Sequence, residues 1–157
     1  IVLPANTSVK IDDIDNAYTA ACEANALVNI LNYKLEKKGY KTYKVGTGLD
    51  YGRALMIKAG HKCSAINDVV VMGDVVNQSC HLAAKGNAAY SNGNPIMLST
   101  VIYNNLNDHN KKLCSYNNSL LCYQSNAVSI QMDDWLTEQK EKDKKTNANK
   151  GFSGWPY

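Results

Sequence analysis

Between residues 13 and 38, apolar side chains return every three or four positions. Ala17, Ala20, Ala21, Ala24, Leu27, Val28, Leu31 and Leu35 make one face, the spacing of an amphipathic helix. Asp12 and Asp13 crowd its start, Lys34, Lys37 and Lys38 its end, and Gly39 follows. Those positions suit the helix dipole and a normal stop. Asp12, Asp13 and Asp15 are therefore read as capping and dipole residues. The pattern then shortens. Lys44 to Leu49 predicts a strand, Asp50-Tyr51-Gly52 a turn, and Ala54 to Lys58 the returning strand of a hairpin.

Further on, Asp68-Val69-Val70-Val71-Met72 is apolar after its first residue and predicts a short strand ending in a buried sheet. Gly73-Asp74 breaks it. A second helix is predicted from about Val75 to Lys85, stopping at Gly86-Asn87. Pro95 to Ser99 reads as a strand, 101–107 as helix or turn, and Leu120–Tyr123 with Ala127–Met132 as two late strands that pair. Ile1–Pro4 reads as the end of a strand, 5–12 and Gly60–Asn67 as polar loops. From Thr137 the chain is polar and Lys-rich, which predicts disorder to at least Asn149. Two segments result: a domain over 1–135 and a polar tail over 136–157. The order of elements predicts an α/β or α+β fold with a mixed sheet.

Composition narrows the class. The chain has 157 residues, 45% hydrophobic and 20% charged, so one soluble globular domain is expected. The net charge of +3 sits largely in Lys140, Lys142, Lys144, Lys145 and Lys150. It reads as a solvated tail and gives no sign of a nucleic-acid partner. No apolar run approaches the roughly 20 residues of a membrane span, and no signal peptide is visible. Five cysteines are scattered without a CxxC pair, which fits reduced thiols in a cytoplasm.

Candidate chemistry concentrates in Val69 to Ala83. A strand ends at Gly73 and a helix starts at once, with Asp74 placed to cap it. Asn77 lies in the first turn. His81 follows four residues on, so the two project from one face, roughly 5–6 Å apart at Cβ. A helix start with polar groups on one face can receive phosphate. Walker A, GxGxxG, GxSxG and HExxH patterns are absent, and His61, His81 and His109 show no ligand spacing.

This segment resembles the class III nucleotidyl cyclase signature, a strand followed by G-D-x-V-N-x-x-x-R and a small-residue helix. Gly73, Asp74, Val76 and Asn77 match in place. Val45-Gly46-Thr47-Gly48-Leu49-Asp50-Tyr51-Gly52 is similar to the family's strand–turn–strand, and Gly60 to the glycine closing its second strand. The string from Tyr51 to Gly60, with Ile66 to Val70, looks like the Pycsar pyrimidine cyclases. The resemblance covers about residues 1–135. It implies a cyclase fold whose mixed sheet carries helices on one side, the N-terminal part being absent from this chain.

The resemblance also implies an activity. A pyrimidine ribonucleoside triphosphate, UTP or CTP, would be converted to a 3′,5′-cyclic monophosphate and pyrophosphate as an antiphage messenger read by a separate effector. Two divalent cations, Mn²⁺ or Mg²⁺, would be held by aspartates upstream of Ile1, so the piece alone would be inactive. A homodimer is implied, because Asn and Arg act from the opposing subunit. Asn77 matches the ribose-orienting Asn. His81 stands where the family has Arg. A histidine is charged near neutral pH only beside an anion such as a triphosphate, so Arg53 and Lys58 are further candidate cations, though both also suit exposed strand positions. Val70 stands where purine cyclases place a base-reading polar residue, and Gly73 and Asp74 complete the substrate-binding set. An adenylate or guanylate cyclase, and a cyclase-like nucleotide-binding domain without turnover, are the competing readings.

Overall fold

The computed structural model describes residues 9–60 and 67–151. The expected strand end at Ile1–Pro4 and the loop of residues 61–66, with His61 and Cys63, lie outside them. The first element, α1, spans Lys10–Lys37. Then come β1 (Thr47–Leu49), β2 (Leu55–Gly60), β3 (Asn67–Met72), α2 (Asp74–Lys85), a 3-10 turn at Ala89–Ser91, and β4 (Ile96–Leu98). The chain continues through α3 (Thr100–Asn105), α4 (Asp108–Lys112), β5 (Ser115–Asn117), β6 (Cys122–Ser125) and α5 (Ile130–Gly151).

Helix α1 forms where periodicity placed it, starting three residues earlier. Val9 is its N-cap and makes no side-chain cap bond, and Asp12 and Asp13 stand in the first turn, where their charge suits the dipole. Asp15 instead accepts hydrogen bonds from Asn107 N at 3.1 Å and Asn110 Nδ2 at 2.9 Å, tying α1 to α4. The buried face is Ile14, Tyr18, Ala21, Cys22, Asn25 and Ala26. Leu27 and Leu31, counted in the predicted face, are 59% and 47% exposed. Alanines on every side made the apolar stripe ambiguous, and the large Ile14 and Tyr18 decide it.

Four strands make a mixed sheet in the order β1-β4-β6-β5. β1 runs parallel to β4, with Gly48 opposite Met97, and the other two contacts are antiparallel. Ile96, Met97 and Leu98 are each 0% exposed. Full burial of side chains this size stabilises by about 1.5–3 kcal/mol apiece. Successive strand residues face opposite ways. Ile96 and Leu98 pack with Ile14, Tyr18 and Cys22 of α1 and with Ile102 of α3. Met97 packs with Leu82 of α2 and with Cys122. The α+β class and mixed sheet are as expected, but helices cover both faces of the sheet rather than one. A strand buried on both sides requires that.

Two strand pairings differ from those predicted. β1 does not fold back onto β2. β2 pairs antiparallel with β3, Leu55 opposite Met72 and Ile57 opposite Val70. This separate hairpin is exposed: Leu55 is 61%, Val69 60% and Met72 53% accessible, so β3 does not end a buried sheet. Near the C-terminus β6 pairs with β5 and β4, and Ile130 already begins α5.

The segment expected to be disordered is the helix α5, and the boundary placed after residue 135 falls inside it. Leu136 is buried. Asp143 is bound by Lys37 Nζ at 2.8 Å and accepts from the Tyr33 hydroxyl. Those two bonds, Lys37 first, hold the Asp143 carboxyl below the usual carboxylate range. Lys34 Nζ lies 5.6 Å from the Trp135 ring centroid. A charge-rich sequence becomes a helix here because α1 offers it a surface.

Tyr18 joins α1 to the sheet. Its hydroxyl lies 2.8 Å from Ser125 Oγ, and Ser125 donates to the Leu113 carbonyl at 2.9 Å. With the serine proton committed, Tyr18 is the donor to Ser125. Burial pushes the Tyr18 phenol far above its ordinary range, and raises the Cys22 and Cys114 thiols beside it. The unfolded chain releases these protons at lower pH than the folded one. This contribution to stability is therefore complete below the unfolded pKa values, roughly 8.5 for Cys and 10 for Tyr, and is lost as pH rises beyond them. Urea midpoints should hold between about pH 7 and 8 and fall above about pH 9. Tyr18→Phe should cost about 1 kcal/mol at pH 7 and flatten the alkaline fall. An equal fall in the variant would clear Tyr18 of that role.

Candidate active site

At Met72 the chain must reverse from β3 into α2. Gly73 does so at φ 146° and ψ 168°, a region essentially restricted to glycine. Its carbonyl accepts from Val76 N at 3.0 Å and Asn77 N at 3.2 Å, starting the helix. Gly73 is thus the N-cap. Asp74 stands in the first turn, where its charge suits the dipole, and is not the cap predicted from sequence.

What lies beneath α2 fixes which way it faces. A Cβ on Gly48 would collide with the Ser79 carbonyl oxygen and the Ala83 amide nitrogen. The helix backbone therefore rests directly on β1, with Leu82 buried toward Met97. The opposite face carries Asp74, Asn77, Gln78 and His81, at steps of three and four. These four line one wall of an open cleft of about 600 Å³. The other wall is the connection from β1 to β2: Asp50, Tyr51, Gly52 and Arg53. Val75 and Val101 add apolar surface. A Cβ on Gly73 would lie 3.1 Å from the Arg53 carbonyl oxygen, so the two walls meet at the helix start.

Among the described residues, the side chains of Asp50, Arg53, Asp74, Asn77, Gln78 and His81 have no hydrogen-bond or ion-pair partner. Two carboxylates, a guanidinium, two amides and an imidazole thus share one cleft with their polar atoms uncommitted. That is the composition expected of a site awaiting a polar ligand. Tyr51 is half-buried against the α1 side of the core, with Lys10 Nζ 4.9 Å from its ring centroid. Among the described residues no group of three or more His, Cys, Asp or Glu converges to hold a metal ion.

The sequence-derived set divides. Asp74, Asn77, His81 and Arg53 come together in the cleft, with Gly73 at its base. Val70 and Lys58 do not line it. They sit on the exposed hairpin, Val70 opposite Ile57 and Lys58 opposite Val69. Asp50, Tyr51, Gln78 and Val101 were not foreseen. Gln78 had a signal, being four residues after Asp74 on a helix. Asp50 and Tyr51 were hidden by the hairpin turn assigned to them. Val101 arrives from beyond β4, and no local pattern announces it.

Two curated proteins resemble the chain. One, named uridylate cyclase, from Treponema porcinum, is 34% identical over 136 residues, spanning 84% of this chain and 47% of the relative. Another of the same name, from Gulbenkiania mobilis, is 35% identical over 141 residues, spanning 79% of this chain and 53% of the relative. The chain thus spans about half the length of the curated relatives it matches. That similarity relates it to nucleotidyl cyclases. No protein-family model matches the chain. No solved structure matches it. No helix among the described residues is long and apolar enough to cross a membrane.

Proposed function

We propose that the protein is a class III nucleotidyl cyclase that converts a pyrimidine ribonucleoside triphosphate, UTP or CTP, to its 3′,5′-cyclic monophosphate. The ribose 3′-oxygen bonds to the α-phosphorus and loses its proton. The bond from that phosphorus to the bridging oxygen breaks, and pyrophosphate leaves with the electron pair. The observation that carries this reading is the uncommitted polar face of α2 inside the cleft, in a chain similar to proteins named uridylate cyclase. Asn77 would orient the ribose. His81 would meet the phosphates. Asp74 would lie at the helix start, and Gly73 would keep the backbone open to the ligand. The two divalent cations are assigned to carboxylates other than a cluster of this chain's described residues.

The assembly we propose is a homodimer in the cytoplasm, its product a second messenger in antiviral defence read by a separate effector. Its support is the β2–β3 hairpin, a two-stranded ribbon with Leu55, Met56, Val69 and Met72 exposed. Such a ribbon is marginal alone in water and gains from a partner surface. A monomeric mass in solution for the complete protein would remove this element.

The test is to incubate protein made from its complete reading frame with all four ribonucleoside triphosphates and Mn²⁺, and to identify products by mass. Cyclic UMP or cyclic CMP is the expected result. Cyclic AMP or GMP would overturn the substrate while leaving the reaction. With no cyclic product from any of them, the domain is one that binds without turnover.

A further inference from the structure

A second pocket shares no residue with the candidate active site. It encloses about 150 Å³ between α1, the approach to β1, the loop after α2 and the end of β6. Five asparagines line it: Asn25, Asn29, Asn32, Asn87 and Asn126. Three of them have fixed tasks. Asn32 donates to the Tyr43 carbonyl at 2.8 Å and accepts from the Tyr43 amide at 2.9 Å, pinning that wall. Asn25 and Asn87 donate through Nδ2 to the Ala127 and Val45 carbonyls, at 3.0 and 2.8 Å. Those bonds orient the two amides, and each keeps an Oδ1 that can only accept. Asn25 is 8% exposed, yet its Oδ1 has no partner among the described residues. The side chains of Asn29, Asn126 and Lys44 have none at all there, and they supply donors. Among the described residues no carboxylate lines the pocket, and Val28 and Pro95 give it apolar surface. A cavity of about 150 Å³ holds one six-membered ring. A ligand filling this one must offer N–H groups to Asn25 and Asn87 and carbonyl oxygens to Asn29, Asn126 and Lys44. A pyrimidine base carries both on one flat ring, and carboxamides pair with base edges through donor and acceptor together.

We propose that this pocket is a second binding site, for a pyrimidine base carried by a nucleoside or nucleotide. The site stands apart from the cleft and does not depend on turnover there. Its place in the fold nevertheless joins the two. The cleft forms where β1 ends and α2 starts, and the pocket where β1 begins and α2 ends. They are separated by the length of β1, roughly 10 Å. Strand and helix touch beside the pocket: a Cβ on Gly46 would lie 3.1 Å from the Gly86 Cα. An occupant therefore bears on the same strand and helix that form the cleft walls.

The test is calorimetric titration of protein from the complete reading frame with uridine, cytidine and adenosine, without metal. Wild type should bind uridine or cytidine at least about tenfold more tightly than adenosine, whose double ring exceeds the space. Combining Asn29→Ala with Asn126→Ala should weaken that binding about tenfold or more, through two lost hydrogen bonds. The melting temperature should not fall, because neither side chain bonds anything among the described residues. His81→Ala, which alters only the cleft, should bind as wild type does. UMP then identifies the occupant. Tighter binding than uridine, lost in Lys44→Ala, points to a nucleotide, and equal binding to a nucleoside; either supports the site. No binding of either pyrimidine nucleoside by wild type overturns the assignment, as does adenosine bound equally well. Undiminished binding by the double variant overturns it too, and loss in His81→Ala alone would put the base in the cleft instead.

Discussion

Asn77→Ala should lose about 10²- to 10³-fold in kcat for cyclisation while melting at or slightly above the wild-type temperature. Both halves follow from the position of the side chain. Asn77 is exposed on α2 and bonds nothing among the described residues, so its removal takes no contact from the fold. Alanine is also the better helix former, by about half a kcal/mol. The amide's proposed work is to hold the ribose so that the 3′-oxygen lies in line with the α-phosphorus, and a misplacement near 1 Å costs about 10²-fold. Steady-state kinetics beside a melting curve would separate these effects. Wild-type kcat in the variant would remove Asn77 from the mechanism, and a large drop in melting temperature would make it structural instead.

Gly48→Val should do the opposite, damaging the fold first and activity only through it. No side chain fits between β1 and α2, since even a Cβ meets the Ser79 carbonyl oxygen and the Ala83 nitrogen. Backbone cannot yield as a side-chain tip can, so the penalty should reach or exceed the upper end of the about 1–3 kcal/mol seen for overpacking. In a chain of this size that is a loss of about 6–12 °C in melting temperature. Gly48→Ala should fall between wild type and valine. A valine variant melting within about 2 °C of wild type would mean that α2 does not rest on β1 as described.

Legibility in the sequence follows the range of each interaction. α1 and α2 are readable because helix periodicity, end charges and stop glycines are local signals. β4 is readable as Pro95 to Ser99 because a continuous apolar run marks a strand covered on both faces. The partner of β1 is not. Asp50-Tyr51-Gly52 has turn chemistry, and a local hairpin is the natural inference from it. The real partner, β4, begins only at Ile96, with β2, β3 and α2 lying between it and the end of β1 at Leu49. Parallel pairing across that distance leaves no local mark. α5 escapes for a related reason. Its Lys and Glu residues look solvated, and the docking to Tyr33 and Lys37 of α1 cannot be seen from either segment alone.

The candidate site shows the same division. Asp74, Asn77 and His81 share a helix face, so their spacing alone is enough to group them. Arg53 ranks level with Lys58 on sequence, because strand alternation does not say which residue turns toward α2. Val70 is reached by counting back from Gly73, and the count leads onto a ribbon outside the cleft.

One arrangement also shapes how such a protein can change over time. α2 keeps its supporting contacts, Leu82 and the backbone above Gly48, on one side, and its reactive amides and imidazole on the other. Mutation can therefore exchange the groups in the cleft without disturbing the seat of the helix. The glycine side tolerates almost no drift, whereas positions 74, 77, 78 and 81 are free to explore new ligands. Lineages built on this helix can diverge in substrate while their scaffold stands still, and a designer could do the same by randomising those four positions alone.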